Sequence, residues 1–180
     1  MKFINKVTLI LTKTAEIFHW LAAALTVAVG VCKAPVPQFL KHILRADDPQ
    51  LSTYGFEVST ENMAAEPKAA TLIIYSIGAA LIFVLMALIF RNLYLIIKNS
   101  QETTPFQKAN VRMFKEIGYF SLGVPVIGLI FSIINRFAVG VDIAETAVSI
   151  GGFIIGLVVL CITQYFAKGV ELQEDVDGLL

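Results

Sequence analysis

Three ionisable side chains stand out by their position. Lys13, Glu16 and His19 recur at three-residue spacing at the start of an apolar run. On a helix such residues share one face. Ionisable groups inside a bilayer are expensive and usually functional. A buried carboxylate with an imidazole above it could bind and pass a proton or a cation, with Glu16 as the binding group. The plainer arrangement has Lys13 reaching toward the headgroups and pairing with Glu16, while His19 hydrogen-bonds a neighbouring helix.

Other chemistry is sparse. His42 falls outside the apolar runs, so haem held by two intramembrane histidines lacks its second ligand. Cys32 and Cys161 form no C-x-x-C pair. On spanning helices they lie about 22 Å apart in depth, beyond the ~7 Å that a disulfide bridges. Both are expected as free thiols. No nucleotide loop, zinc motif or nucleophile elbow is present. These residues predict a protein that is not an enzyme and carries no cofactor or metal.

Two further segments have recognisable local structure. Thr104-Pro105-Phe106-Gln107 reads as a helix start. Thr104 would be the N-cap, Pro105 the first helical residue, and Gln107 the partner in a capping box. Lys108, Arg112 and Lys115 follow with positive charge, which suits either anionic lipid or a docked partner. The end of the chain, residues 169–180, packs four acids among Val170, Leu172 and Val176. A charge run of this kind is most simply a solvated end.

The elements that must position these groups follow from composition. The chain has 180 residues, 57% hydrophobic and 16% charged, with no net charge. Ordinary soluble domains carry about 25% charged residues, and one this small has too little interior for so much apolar surface. A soluble globular domain, a disordered chain and a disulfide scaffold are excluded. Zero net charge gives no basic field for direct nucleic acid binding.

Residues 69–90, 117–135 and 146–167 are free of charge, each about the ~20 residues needed to cross a bilayer. Residues 17–32 form a shorter uncharged run, extended N-terminally by apolar residues. Its length and its polar interruption favour a retained helix over a cleaved signal peptide. The expected fold is all-α: an integral membrane four-helix bundle with a 30–36-residue outer loop after the first helix. Residues 1–180 form a single membrane domain with spans at about 9–34, 69–97, 111–136 and 146–168. The outer loop is 35–68, the inner loop 98–110 and the acidic tail 169–180.

Within the outer loop, residues 38–46 suit a short amphipathic helix, and the alternation at 56–61 suits a short strand. Lys and Arg placement sets the orientation. With the N-terminus inside, nine cations lie on the inner side. The outer side has five: Lys33, Lys41, Arg45, Lys68 and Arg136. Both termini are therefore expected in the cytoplasm. Pro125 should kink the third span. Gly152 and Gly156 form a GxxxG pair, suited to close packing within the chain or to a homodimer seam.

Thr104-Pro105-Phe106, followed by Asn110-Val111-Arg112 and Ile117-Gly118, resembles a motif of a membrane family known as domain of unknown function 2975. The ending Gly169-Val170-Glu171-Leu172-Gln173-Glu174-Asp175-Val176-Asp177 resembles that family too. The resemblance implies a bacterial inner-membrane protein of four helices. It also implies a neighbouring small helix-turn-helix regulator as partner, and no catalytic residues. The candidate partner-binding residues are then Pro105, Phe106, Asn110, Arg112, Gly169, Glu171, Leu172, Glu174 and Asp175. The leading expectation is a non-enzymatic membrane partner of that cytoplasmic transcription regulator. Its alternatives are a small proton-coupled transporter or channel using Glu16, and an accessory subunit of a membrane complex.

Overall fold

A computed structural model describes residues 2–30, 50–54, 56–59, 69–102, 104–139 and 150–178. The fold is all-α. Four long helices carry it: α1 (Lys2–Gly30), α2 (Ala69–Glu102), α3 (Lys108–Val139) and α4 (Ile150–Asp177). Between α1 and α2 the described residues form a hairpin of β1 (Gln50–Thr53) and β2 (Phe56–Ser59). The expected amphipathic helix at 38–46 and Cys32 lie outside the described residues.

The helices extend beyond their uncharged runs. α2 continues past residue 97 to Glu102, and α4 continues past residue 168 to Asp177. Loss of hydrophobicity ends a span, whereas a helix ends only where its backbone is redirected. α3 continues through Pro125 as one helix, although proline there removes the backbone bond to the Ser121 carbonyl. Several buried or partly buried hydroxyls are satisfied within their own helices. Thr12 donates to the Thr8 carbonyl, Thr26 to Ala22 and Thr163 to Val159. Such bonds suit a segment without water to supply partners.

The described residues fall into two compact units. The first takes α1 through His19, α2 from Leu85, α3 through Gly123 and α4 from Gly151. Here the four helices pack as a bundle. Ile89, Ile96 and Ile117 are buried, and Met86, Leu93, Met113, Phe114, Phe120 and Val159 pack against them. Ile89, Leu93 and Ile96 follow the 3.6-residue period, so one stripe of α2 faces this core. Two glycines permit close approach of α3 and α4. A Cβ on Gly118 would lie 2.5 Å from Leu160 Cδ2, and one on Gly156 would lie 2.8 Å from Leu122 Cδ2. Gly156 thus serves packing within the chain.

The second unit takes α1 from Trp20, the hairpin, α2 through Val84 and α3 from Val124. β1 and β2 pair antiparallel, with Thr53 opposite Phe56, so two residues connect them. The strand expected at 56–61 is β2, and its partner β1 lacks a clear alternating pattern. Tyr54 turns the chain with φ of 48°, a left-handed conformation that costs an ordinary residue about 1–2 kcal/mol. Its ring packs edge-on to Phe83 at 6.1 Å, and the Thr53 and Tyr75 hydroxyls are hydrogen-bonded. The hairpin is thereby tied to α2. α2 and α3 meet where Gly78 faces Phe131.

Candidate functional site

Two polar constellations lie in the first unit. The first is on α1. Lys13 Nζ and Glu16 Oε2 are 2.8 Å apart, an ion pair along one helix face. The Glu16 side chain is 9% exposed and that of Lys13 is 47%. The lysine therefore provides the pair's opening to its surroundings. Lys13 also lies 5.3 Å from the centre of the Tyr94 ring, in cation–π range. His19 is buried. Its Nδ1 lies 2.7 Å from the Ala15 carbonyl oxygen, and since a carbonyl only accepts, Nδ1 carries the proton. The ring stacks on Phe90 at 5.1 Å and meets Phe18 edge-on. The expected common face is present, turned toward Phe90 and Tyr94 of α2. In this arrangement the Glu16 charge is already compensated.

The second constellation joins the start of α3 to the end of α4. Phe106 lies against Gly169, where a Cβ would come within 2.6 Å of Phe106 Cδ1. The Phe166 ring packs at a tilt against both Phe106 and Phe114, at 5.6 and 4.6 Å. Thr104 Oγ1 is 3.3 Å from Gln173 Oε1, and Lys108 Nζ is 2.8 Å from Glu174 Oε1. The segments singled out at either end of the α3–α4 pair clasp each other.

This clasp changes the reading of the helix start. α3 begins at Lys108, not at Pro105. The Gln107 carbonyl accepts the first helical bond, from Val111 N. Thr104 is no N-cap, because its hydroxyl is turned toward Gln173 and the Phe106 carbonyl. Asn110 holds the preceding turn. It is fully buried and its Nδ2 donates to the Pro105 carbonyl at 3.0 Å, while its Oδ1 accepts from Asn99. Phe106 can reach Gly169 only because residues 104–107 stay non-helical.

The remaining candidate residues have separate surroundings. Arg112 Nε donates to Glu116 Oε1 at 2.9 Å, and Asn92 Nδ2 to Glu116 Oε2 at 3.1 Å. Glu171 pairs with Lys168 at 2.6 Å. Pro105 and Asp175 are exposed, as are Leu172 and Val176, each at 58%. Sequence reasoning passed over Asn92 and Glu116. The only signal was a polar residue in an apolar helix and a carboxylate one turn after Arg112.

A family model described as a protein of unknown function, DUF2975, matches residues 13–178. The chain belongs to the DUF2975 family. No curated protein and no solved structure matches it. Both constellations of this DUF2975 protein lie inside the matched region. Three of its helices have segments long and apolar enough to cross a membrane: Ile73–Gln101, Lys108–Ala138 and Gly151–Val176. The DUF2975 chain is accordingly a multi-pass membrane protein. In α1, Lys13 and Glu16 interrupt the apolar sequence. α4 leaves Ile154, Ile155, Leu157, Val158 and Ile162 exposed, an apolar surface suited to lipid. Cys161 among them is a free thiol.

Proposed function

We propose that this DUF2975 protein is a non-enzymatic, membrane-bound regulatory partner of a cytoplasmic helix-turn-helix transcription regulator. In a bacterium it would sit in the inner membrane with both termini in the cytoplasm. One observation carries the reading. The clasp of Phe106 and Lys108 on Gly169 and Glu174 consumes part of both motifs internally. It holds the end of α4 as a helix with Leu172, Asp175 and Val176 turned outward. Leu172 and Val176 are one turn apart, so they form one stripe. They lie past Lys168, after the uncharged run of residues 146–167 and at the charged end of the segment Gly151–Val176. An exposed apolar pair flanked by an acid suits a protein partner better than solvent.

The test is co-purification of the full chain from solubilised membranes with the helix-turn-helix regulator encoded beside it. The expected result is retention of the regulator by the parent, and its loss with the Leu172→Lys/Val176→Lys double variant. Absence of the regulator from the parent preparation, or equal retention by the variant, overturns the proposal.

A second reading is favoured by the burial of Glu16. A small proton-coupled transporter or channel would use that carboxylate, with Lys13 as its resident counter-ion. Proton flux into liposomes containing the protein would then be lost in Glu16→Gln. Equal flux from variant and parent ends that reading.

A further inference from the structure

The first unit contains a cavity of about 390 Å³ between α2 and α3. Its polar lining is Arg91, Asn92, Arg112 and Glu116, and its apolar lining includes Leu88 and Phe120. The arrangement along the helices is ordered. Leu88 lies one turn before Arg91 on α2, toward the middle of the uncharged run. Phe120 lies one turn after Glu116 on α3, also toward the middle of its run. The cavity thus straddles the border between charged helix ends and apolar spans, with guanidinium groups at the border and apolar side chains one turn deeper.

The charges within it are not equivalent. Glu116 accepts from both Asn92 and Arg112, so its carboxylate is compensated and it fixes the Arg112 side chain through Nε. The terminal nitrogens of Arg112 make no hydrogen bond or ion pair among the described residues. Arg91 is exposed and likewise makes none there. Two guanidiniums against one compensated carboxylate leave a positive cavity. Guanidinium forks fit phosphate oxygens in paired hydrogen bonds. Basic pockets between membrane helices, at the level of the headgroups, suit anionic lipid.

We propose that this cavity binds an anionic phospholipid of the surrounding bilayer. Its phosphate lies between Arg91 and Arg112, and its glycerol and upper acyl carbons rest on Leu88 and Phe120. Charge and polarity argue together for a lipid over a soluble anion. A free phosphate would use the guanidiniums and leave the apolar floor uncovered. The site is independent of the regulator reading and survives its failure.

The test is native mass spectrometry of the full chain released from detergent micelles carrying phosphatidylglycerol or phosphatidylcholine. The parent is expected to retain phosphatidylglycerol and to shed phosphatidylcholine. Arg91→Gln removes one charge-assisted contact and is expected to weaken retention about tenfold. Lys98→Gln removes an exposed cation on the same helix outside the cavity, and should leave retention unchanged. Ala109→Trp fills the cavity without altering charge and should abolish retention, so it decides the matter if Arg91→Gln fails to fold. Equal retention of the two lipids, equal loss in Lys98→Gln and Arg91→Gln, full displacement by inorganic phosphate, or undiminished binding by Ala109→Trp each overturns the proposal.

Discussion

Gly169 has no room for a side chain while Phe106 stays in place. Its Cβ would meet the ring at 2.6 and 2.7 Å, well inside ordinary contact. Phe166 packs against the same Phe106 ring at 5.6 Å, so a shift of that ring disturbs this contact. Overpacking of this kind costs about 1–3 kcal/mol. With Phe106 at 43% exposure, the ring has somewhere to go, and the lower end applies. Gly169→Ala is therefore expected to destabilise the protein by roughly 1 kcal/mol, measured as thermal unfolding in detergent. In a Phe106→Ala background the same substitution should cost nearly nothing, because the clash has been removed. Additive effects would mean that the two residues do not meet. Both were visible in the sequence as motif residues, yet their mutual contact was not. Phe106 and Gly169 are far apart along the chain, and a glycine shows nothing of what lies against it.

At the scale of elements, sequence and structure part company where tertiary contacts override local signals. Thr104, Pro105 and Gln107 have the residue types of a helix start, but Asn110 reaches back to the Pro105 carbonyl and the clasp needs a non-helical Phe106. The apolar runs, by contrast, follow from composition alone: helices α2 and α3 contain two of them, and α4 covers the third from Ile150 onward. The hairpin lies between these cases. β2 shows alternation, whereas β1 is recognised only through its pairing. Its turn residue Tyr54 is exposed along part of its side chain but packs on Phe83, and partial desolvation pushes its phenol above the usual 10.0. The neutral form is favoured in the folded state. Its stabilising contribution is complete below the unfolded pKa and is lost as pH rises through the raised folded value. In an alkaline titration, the phenolate absorbance of the parent minus that of Tyr54→Phe should show a midpoint above pH 10.0. A midpoint at or below the free phenol value would place Tyr54 outside the contact with Phe83.

For the whole molecule, the open question in the chain's threading is α1. Among the described residues three helices qualify as spans on length and apolarity, and α1 is not one of them. The physical cost is smaller than its charges suggest. Lys13 and Glu16 neutralise each other at 2.8 Å, the lysine has the Tyr94 ring as a second partner, and Nδ1 of His19 is satisfied by its own helix. What remains after Glu16 is an uncharged helix through Gly30. Paired charges at one end of a span can lie at the interface while the rest crosses. The number of crossings then fixes the sidedness of the chain's two ends. With α1 inserted, Lys6 and Val176 lie on the same side of the membrane. With α1 at the surface, they lie on opposite sides. Single cysteines at Lys6→Cys and Val176→Cys, in a chain with Cys32 and Cys161 replaced by serine, distinguish the two with a thiol reagent that cannot cross the membrane. Both positions are expected to be protected in intact cells and to react only once the membrane is opened, since four spans with the cation-rich side inward put both ends of the chain in the cytoplasm. Reaction of both from outside reverses the chain's orientation, whereas reaction of only one removes α1 from the spans. If that position is Val176, the end of α4 also lies out of reach of any cytoplasmic regulator.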